Sequence, residues 1–262
     1  MNEDNAFHVV VGPVGPDNQR NSEAAIVALN DGRLLLGWTE FYAADSAANG
    51  TASGDDHGPA RLVWMVSADG GRTLGEKYTL VANDGGCNVM EVNFRRLNGG
   101  GIALLHCQKN TEATDCRVMM RVSTDEGLRF GPAKQLSPAG KYTGLTNGRC
   151  IRLSTGRILL EAWEGGDSYC CLSGDDGATW HDGGRVRTEA GECWEPACIE
   201  LRDGLDQFLR RRVRCAIAGR YAKGHWQAQT LPNARLAELG LLSLEGLQLE
   251  YLRACQALPA SG

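Results

Sequence analysis

The sequence predicts an all-β fold, a β-propeller of stacked four-stranded blades, from three observations. Glycine supplies 34 of 262 residues against 8 prolines, a Ser-x-Asp-x-Gly turn recurs, and a Leu-x-x-Gly hairpin alternates with it. Glycine at that density without a collagen period marks many tight turns. The length permits one large domain or two small ones and is ample to bury a core. Aromatic residues at 6%, charged at 23% and hydrophobic at 42% are near globular averages and argue against wholesale disorder.

The hairpin comes first in each unit. It reads Ile26-Val-Ala-Leu29-Asn-Asp-Gly32-Arg33-Leu34, returns as Phe94 to Leu104 around Leu97 and Gly100, and again as Ile151 to Leu160 around Leu153 and Gly156. A fourth copy opens at Ile199-Glu-Leu201-Arg-Asp-Gly204. Each predicts a strand, a two-residue glycine turn and a second strand. The segments Leu62–Val66 and Val118–Val122 predict the third strands. The boxed turn follows: Ser67 to Leu74, Ser123 to Phe130 and Ser173 to Trp180, with Asp69, Asp125 and Asp175 at its third position. Serine and aspartate oxygens accept N–H groups inside such a turn, and glycine supplies a positive φ. The aromatic or leucine then starts a fourth strand. One unit of four antiparallel strands spans about fifty residues and cannot bury both faces alone, so radial stacking is expected.

The balance of 27 basic against 32 acidic residues gives a net charge of −5, which makes nucleic acid a poor partner. No run of eighteen apolar residues predicts a membrane span. The start, Met-Asn-Glu-Asp-Asn, lacks the features of a secretory signal, so a cytoplasmic location is the expectation, with the 10 cysteines reduced. The cysteines have no zinc-ligand spacing, and neither a metal nor a cofactor is expected.

The boxed turn resembles the Asp-box, or bacterial neuraminidase (BNR) repeat, of sialidases and their relatives. The resemblance extends to Gly86-Cys-Asn88-Val-Met90, Lys109-Asn110 with Asp115-Cys-Arg117, Asn147-Gly-Arg149 and Trp194-Glu195-Pro196, and covers roughly residues 10 to 204. It implies a propeller that is six-bladed in the family, of which this chain supplies three complete blades and the start of a fourth. It also implies a glycoside hydrolase acting on terminal acidic sugars, an exo-α-sialidase, with the boxes as structural turns on the outer rim. Relatives that are secreted are known in that family.

Sialidases grip the substrate carboxylate with an arginine triad, use an aspartate as acid/base and a tyrosine as nucleophile, with a glutamate as its base. Guanidinium forks suit a carboxylate bidentately. By motif position the resemblance assigns Arg20 to the first triad arginine, Asp56 to the acid/base and Glu195 to the glutamate. Asp45 and Asp55 share the long loop with Asp56 and compete with it. Arg117 and Arg149 enter the mouth as anion ligands, and Asn88 as a donor to a sugar hydroxyl. No segment matches the second and third triad arginines or the tyrosine. The alternative reading is a propeller that binds carbohydrate, or another partner, without hydrolysis.

From residue 205 the repeat stops. Leu205 to Arg214 is arginine-rich where an inner strand is due, and Leu231 to Leu258 favours helix. The expectation is therefore two parts: propeller blades over 1–204 and an aberrant, helix-favouring segment over 205–262, as a frameshift in the coding sequence would produce.

Overall fold

The computed structural model describes residues 7–42, 54–186, 195–200, 206–210, 217–222 and 225–230. These residues form strands and turns, with no helix among them. Blade 1 is β1 (Asn18–Ala28), β2 (Leu34–Tyr42), β3 (Ala60–Ser67) and β4 (Tyr78–Val81). Blade 2 is β5 (Asn88–Arg96), β6 (Ile102–Lys109), β7 (Cys116–Ser123) and β8 (Lys134–Gln135). Blade 3 is β9 (Thr143–Leu145), β10 (Ile151–Arg152), β11 (Ile158–Glu164), β12 (Asp167–Ser173) and β13 (His181–Val186). Here β9 and β10 together make the inner strand, both pairing with β11. The fourth sheet is β14 (Pro196–Glu200), β15 (Asp206–Arg210), β16 (Ile217–Ala222) and β17 (His225–Thr230). Every sheet is antiparallel and runs in sequence order.

The first three hairpins form where the sequence placed them, with one difference; the turn of the fourth, at Gly204, lies outside the described residues. Leu29 N–H donates to Arg33 O (2.8 Å) and Gly32 N–H to Leu29 O (3.0 Å), and the same two bonds recur at Leu97/Gly101 and Leu153/Arg157. The loop is thus three residues long rather than two: a turn followed by a left-handed glycine. Gly32, Gly100 and Gly156 sit at φ of +86°, +85° and +87°, where a side chain is strained.

The boxed turns close as their chemistry requires. Ser67 Oγ donates to Asp69 Oδ1 (2.8 Å) and accepts Gly71 N–H (2.8 Å), while Asp69 Oδ1 accepts Thr73 N–H (2.8 Å). The same set recurs at Ser123/Asp125 and Ser173/Asp175. Hydrogen bonds from Thr73 lower the Asp69 carboxyl to about 2, and those from Thr179 do the same for Asp175.

Stacking follows from strands that are apolar on both faces. In β2, Leu35 joins the core between blades 1 and 2 while Leu36 joins the outer face of blade 1. In β6, Leu104 faces blade 1 and Leu105 faces blade 3; in β11, Leu160 faces blade 2 and Leu159 faces blade 4. Successive side chains alternate across a sheet, so a continuous apolar run in the second strand feeds two cores.

A polar lock repeats between the blades. Glu126, left-handed at φ 58° in the second box, takes both Arg96 nitrogens (2.6 and 2.9 Å) and the Asn30 N–H of the preceding hairpin (2.8 Å). Asp176, at φ 60° in the third box, takes Arg152 (2.6 Å) and the Gly99 N–H (3.3 Å). The boxes therefore lie at the end of each blade that carries the hairpin turns, away from the starts of the inner strands.

The sequence reading placed a break at residue 205. Among the described residues past that point are β15, β16 and β17 of the fourth sheet, with Pro196 paired to Arg210 and Glu200 to Asp206. The helix-favouring stretch from Leu231 lies outside the described residues.

Candidate functional site

The inner strands start at the end opposite the boxes, and the loops joining second to third strands return there. At this mouth the 54–58 turn is the meeting point of blades 1 and 2. It is closed by Gly58 N–H to Asp55 O (2.9 Å) and His57 N–H to Asp55 Oδ1 (2.9 Å). Asn88 Nδ2 donates to Asp56 O (3.0 Å) and Gly58 O (2.8 Å), and Lys109 Nζ donates to Asp56 O (2.8 Å). Asn88 and Lys109 face each other across β5 and β6, so register alone puts both donors on the turn.

The turn presents the Asp56 carboxylate to Arg20. The Arg20 guanidinium lies 4.4 Å from the centre of the Phe41 ring and donates to Asp56 Oδ1, to Gly54 O (3.3 Å) and to Glu23 Oε1 (3.5 Å). Burial works to raise the Asp56 carboxyl. The hydrogen bond and charge of Arg20, with the charges of Lys109 and His57, outweigh it and hold the group below the ordinary aspartate value. Asp56 is therefore ionised here, where the resemblance leads one to expect a proton donor.

Two glutamates of the inner strands are shifted the other way. Burial, with the charge of Glu23, pushes Glu91 up to about 8, although its Oε2 accepts Leu145 N–H (2.8 Å) and the Cys107 thiol (3.1 Å). Burial also raises Glu23, against the hydrogen bond from Thr39 Oγ1 (2.9 Å). Both residues are left-handed, at φ 59° and 67°, where a β-bulge interrupts the inner strand. Glu195 is left-handed too, at φ 50°. All three stand nine residues ahead of a hairpin glycine: Gly32, Gly100 and Gly204. That register was visible in the sequence and would have found Glu23 and Glu91 alongside Glu195.

Near the axis the inner strands touch directly. Gly148 N–H donates to Val92 O (3.0 Å), Asn147 Nδ2 to Ala24 O (3.1 Å), and Arg149 N–H to Asn93 Oδ1 (2.8 Å). Arg149 Nη1 reaches Pro196 O (3.2 Å), which puts it beside the backbone that follows Glu195. Under this contact Glu161 is fully buried, its Oε1 accepting the Cys198 N–H, and burial pushes it up to about 8.

The six residues singled out from the sequence thus fall into three groups. Arg20, Asp56 and Asn88 come together, though Asn88 spends its donors on backbone carbonyls. Arg149 joins the strand of Glu195. Arg117 forms its own bidentate pair with Asp115 (2.9 and 2.6 Å) and shares no hydrogen bond with the Arg20 group. Of the two competitors of Asp56, Asp55 closes the 54–58 turn and Asp45 lies outside the described residues. Lys109 joins the site although the sequence offered it only as part of a motif. Among the described residues no group of three or more His, Cys, Asp or Glu side chains is arranged to hold a metal ion. No described helix is long and apolar enough to cross a membrane.

No family model and no curated protein matches the chain. Solved structures do. The chain superposes on the Hadza microbial sialidase Hz136 with a TM-score of 0.65 at 14% identity, covering 81% of this chain and 46% of that one. For the NanB sialidase from Streptococcus pneumoniae the TM-score is 0.65 at 13% identity, covering 87% and 54%. For the intramolecular trans-sialidase from Ruminococcus gnavus, solved with oseltamivir carboxylate, it is 0.67 at 10% identity, covering 83% and 71%. The chain thus spans about half the length of the first two. At these identities the likeness concerns the fold: an all-β, sialidase-like propeller arrangement of which this chain holds a part.

Proposed function

We propose that the chain is a sialidase-like protein of glycoside-hydrolase type that receives a terminal acidic sugar at the mouth formed by Arg20, Asp56 and Lys109. The carrying observation is the Arg20 guanidinium, held on the Phe41 ring and facing the 54–58 turn with its aspartate. A sugar carboxylate offers Arg20 a better bidentate partner than Asp56 does. Once Arg20 is taken, Asp56 loses the hydrogen bond that lowers it, and the negative charge of the sugar beside it shifts it upward, toward holding a proton for a leaving oxygen. The buried Lys109 holds the turn by its backbone and adds positive charge without leaving the blade.

A second reading, carbohydrate binding without hydrolysis, is favoured by the ionised state of Asp56. It draws further support from the three sequence-selected arginines, of which Arg20 alone reaches the Asp56 group. The two readings part on one pair of measurements. Calorimetric titration with free sialic acid is expected to show saturable binding that falls at least tenfold in Arg20→Ala. A fluorogenic sialoside then tests turnover. Turnover that vanishes in Asp56→Asn supports hydrolysis, binding without turnover supports the second reading, and neither binding nor turnover removes the proposal.

A further inference from the structure

Blade 3 and the first strand of blade 4 meet through two cysteines. Cys170, in the middle of β12, and Cys198, in the middle of β14, place their sulfurs 2.8 Å apart. That is well inside ordinary contact of two thiols and approaches bonding distance. Both are buried, Cys170 at 0% and Cys198 at 5% exposed, in an apolar cluster with Leu153, Leu159 and Leu172. Their alignment is built by pairing: Glu161 faces Cys170 across β11 and β12, and its carboxylate accepts the backbone N–H of Cys198. The neighbouring Cys171 packs against a different core, as does Cys150.

We propose that Cys170 and Cys198 are a redox site, closing to a disulfide when the protein meets a peroxide and pinning the inner strand of blade 4 to blade 3. Cys198, the less buried, reacts first. Its sulfur attacks the peroxide O–O bond, giving a sulfenic acid and one water. Cys170 sulfur then attacks Cys198 sulfur, the S–O bond breaks, and the hydroxyl leaves with the Cys170 proton as a second water. Two thiols and one hydrogen peroxide give one disulfide and two waters, with both electrons passing to the peroxide oxygens. Because Cys198 follows Pro196 on β14, the bond fixes the segment that Arg149 touches.

The test uses the purified, reduced full chain, treated with hydrogen peroxide, alkylated and mapped by peptide mass spectrometry. The expected product is a cross-link between the peptides holding Cys170 and Cys198, 2 Da lighter than their sum by loss of about two hydrogens. It persists in Cys171→Ser and is absent in Cys198→Ala. The closed loop should raise the melting temperature by roughly 5 °C, reversibly with a reducing agent. Quantitative alkylation of both cysteines after peroxide overturns the proposal. So does a bond from Cys198 to Cys171, or a Cys107–Cys116 bond with Cys170 and Cys198 left as thiols. The wild-type map decides alone if either variant fails to fold.

Discussion

Replacing Glu161 with glutamine should flatten the fall in stability that accompanies rising pH. Glu161 is 1% exposed and has one carboxyl oxygen on the Cys198 N–H. Burial raises its carboxyl from the ordinary 4.5 to about 8. Between those values the folded chain keeps the proton and the unfolded chain has lost it. The unfolded state then binds fewer protons, so stability is full below 4.5 and is lost as pH rises toward 8. Each pH unit in that window costs about 1.4 kcal/mol. Glu91, also raised to about 8, adds a fall of the same sign. His106 works oppositely, because burial lowers it from 6.5 to about 4, so its contribution grows with pH but is complete by about 6.5. The clean interval is therefore about pH 6.5 to 8. There Glu161 and Glu91 each remove roughly 2 kcal/mol, the raised Glu23 adds a fall of the same sign, and Glu161→Gln should lose roughly 2 kcal/mol less than the parent. With a urea m-value of about 2 kcal/mol per molar, the midpoint shift across the interval should be about 1 M smaller in the variant. Urea unfolding followed by tryptophan fluorescence at both pH values reads this directly. An equal shift in parent and variant, or a parent that gains stability across the interval, would refute the buried-acid reasoning.

Three further outcomes follow from particular contacts. Glu126→Gln breaks the ion pair with Arg96 and weakens the clasp on the Asn30 hairpin, and should cost about 1 kcal/mol by thermal unfolding, less at high salt. Gly144→Ala should cost more, at least about 2 kcal/mol, because a Cβ there would lie 2.1 Å from the Trp163 ring; near-ultraviolet circular dichroism should lose indole signal, and unchanged stability would be contrary evidence. Lys109→Met removes a donor to the Asp56 carbonyl, so hydrogen exchange should quicken in the 54–58 turn while the boxed turns keep their protection.

What the sequence determined by itself is the part of the fold written within about ten residues. The boxed turn is legible because Ser67, Asp69, Gly71 and Thr73 satisfy one another through bonds spanning at most four positions. The hairpins are legible because Gly32, Gly100 and Gly156 occupy a backbone region that favours glycine. The third residue of each hairpin loop was missed because the closing pair, Leu29 with Arg33, shows only in the hydrogen bonds. Arg20 and Asp56 were singled out through the family resemblance, yet the ion pair between them was not. Asp56 meets Arg20 across 36 positions and Lys109 across 53. Glu91 and Glu161 look like ordinary strand glutamates until blades stack against them and remove their water, and Cys170 finds Cys198 only when blade 4 lies on blade 3. Turn chemistry is local and can be read from neighbours in the chain. Desolvation and the partners of buried charges are set by which blades lie face to face, and only the tertiary structure decides that.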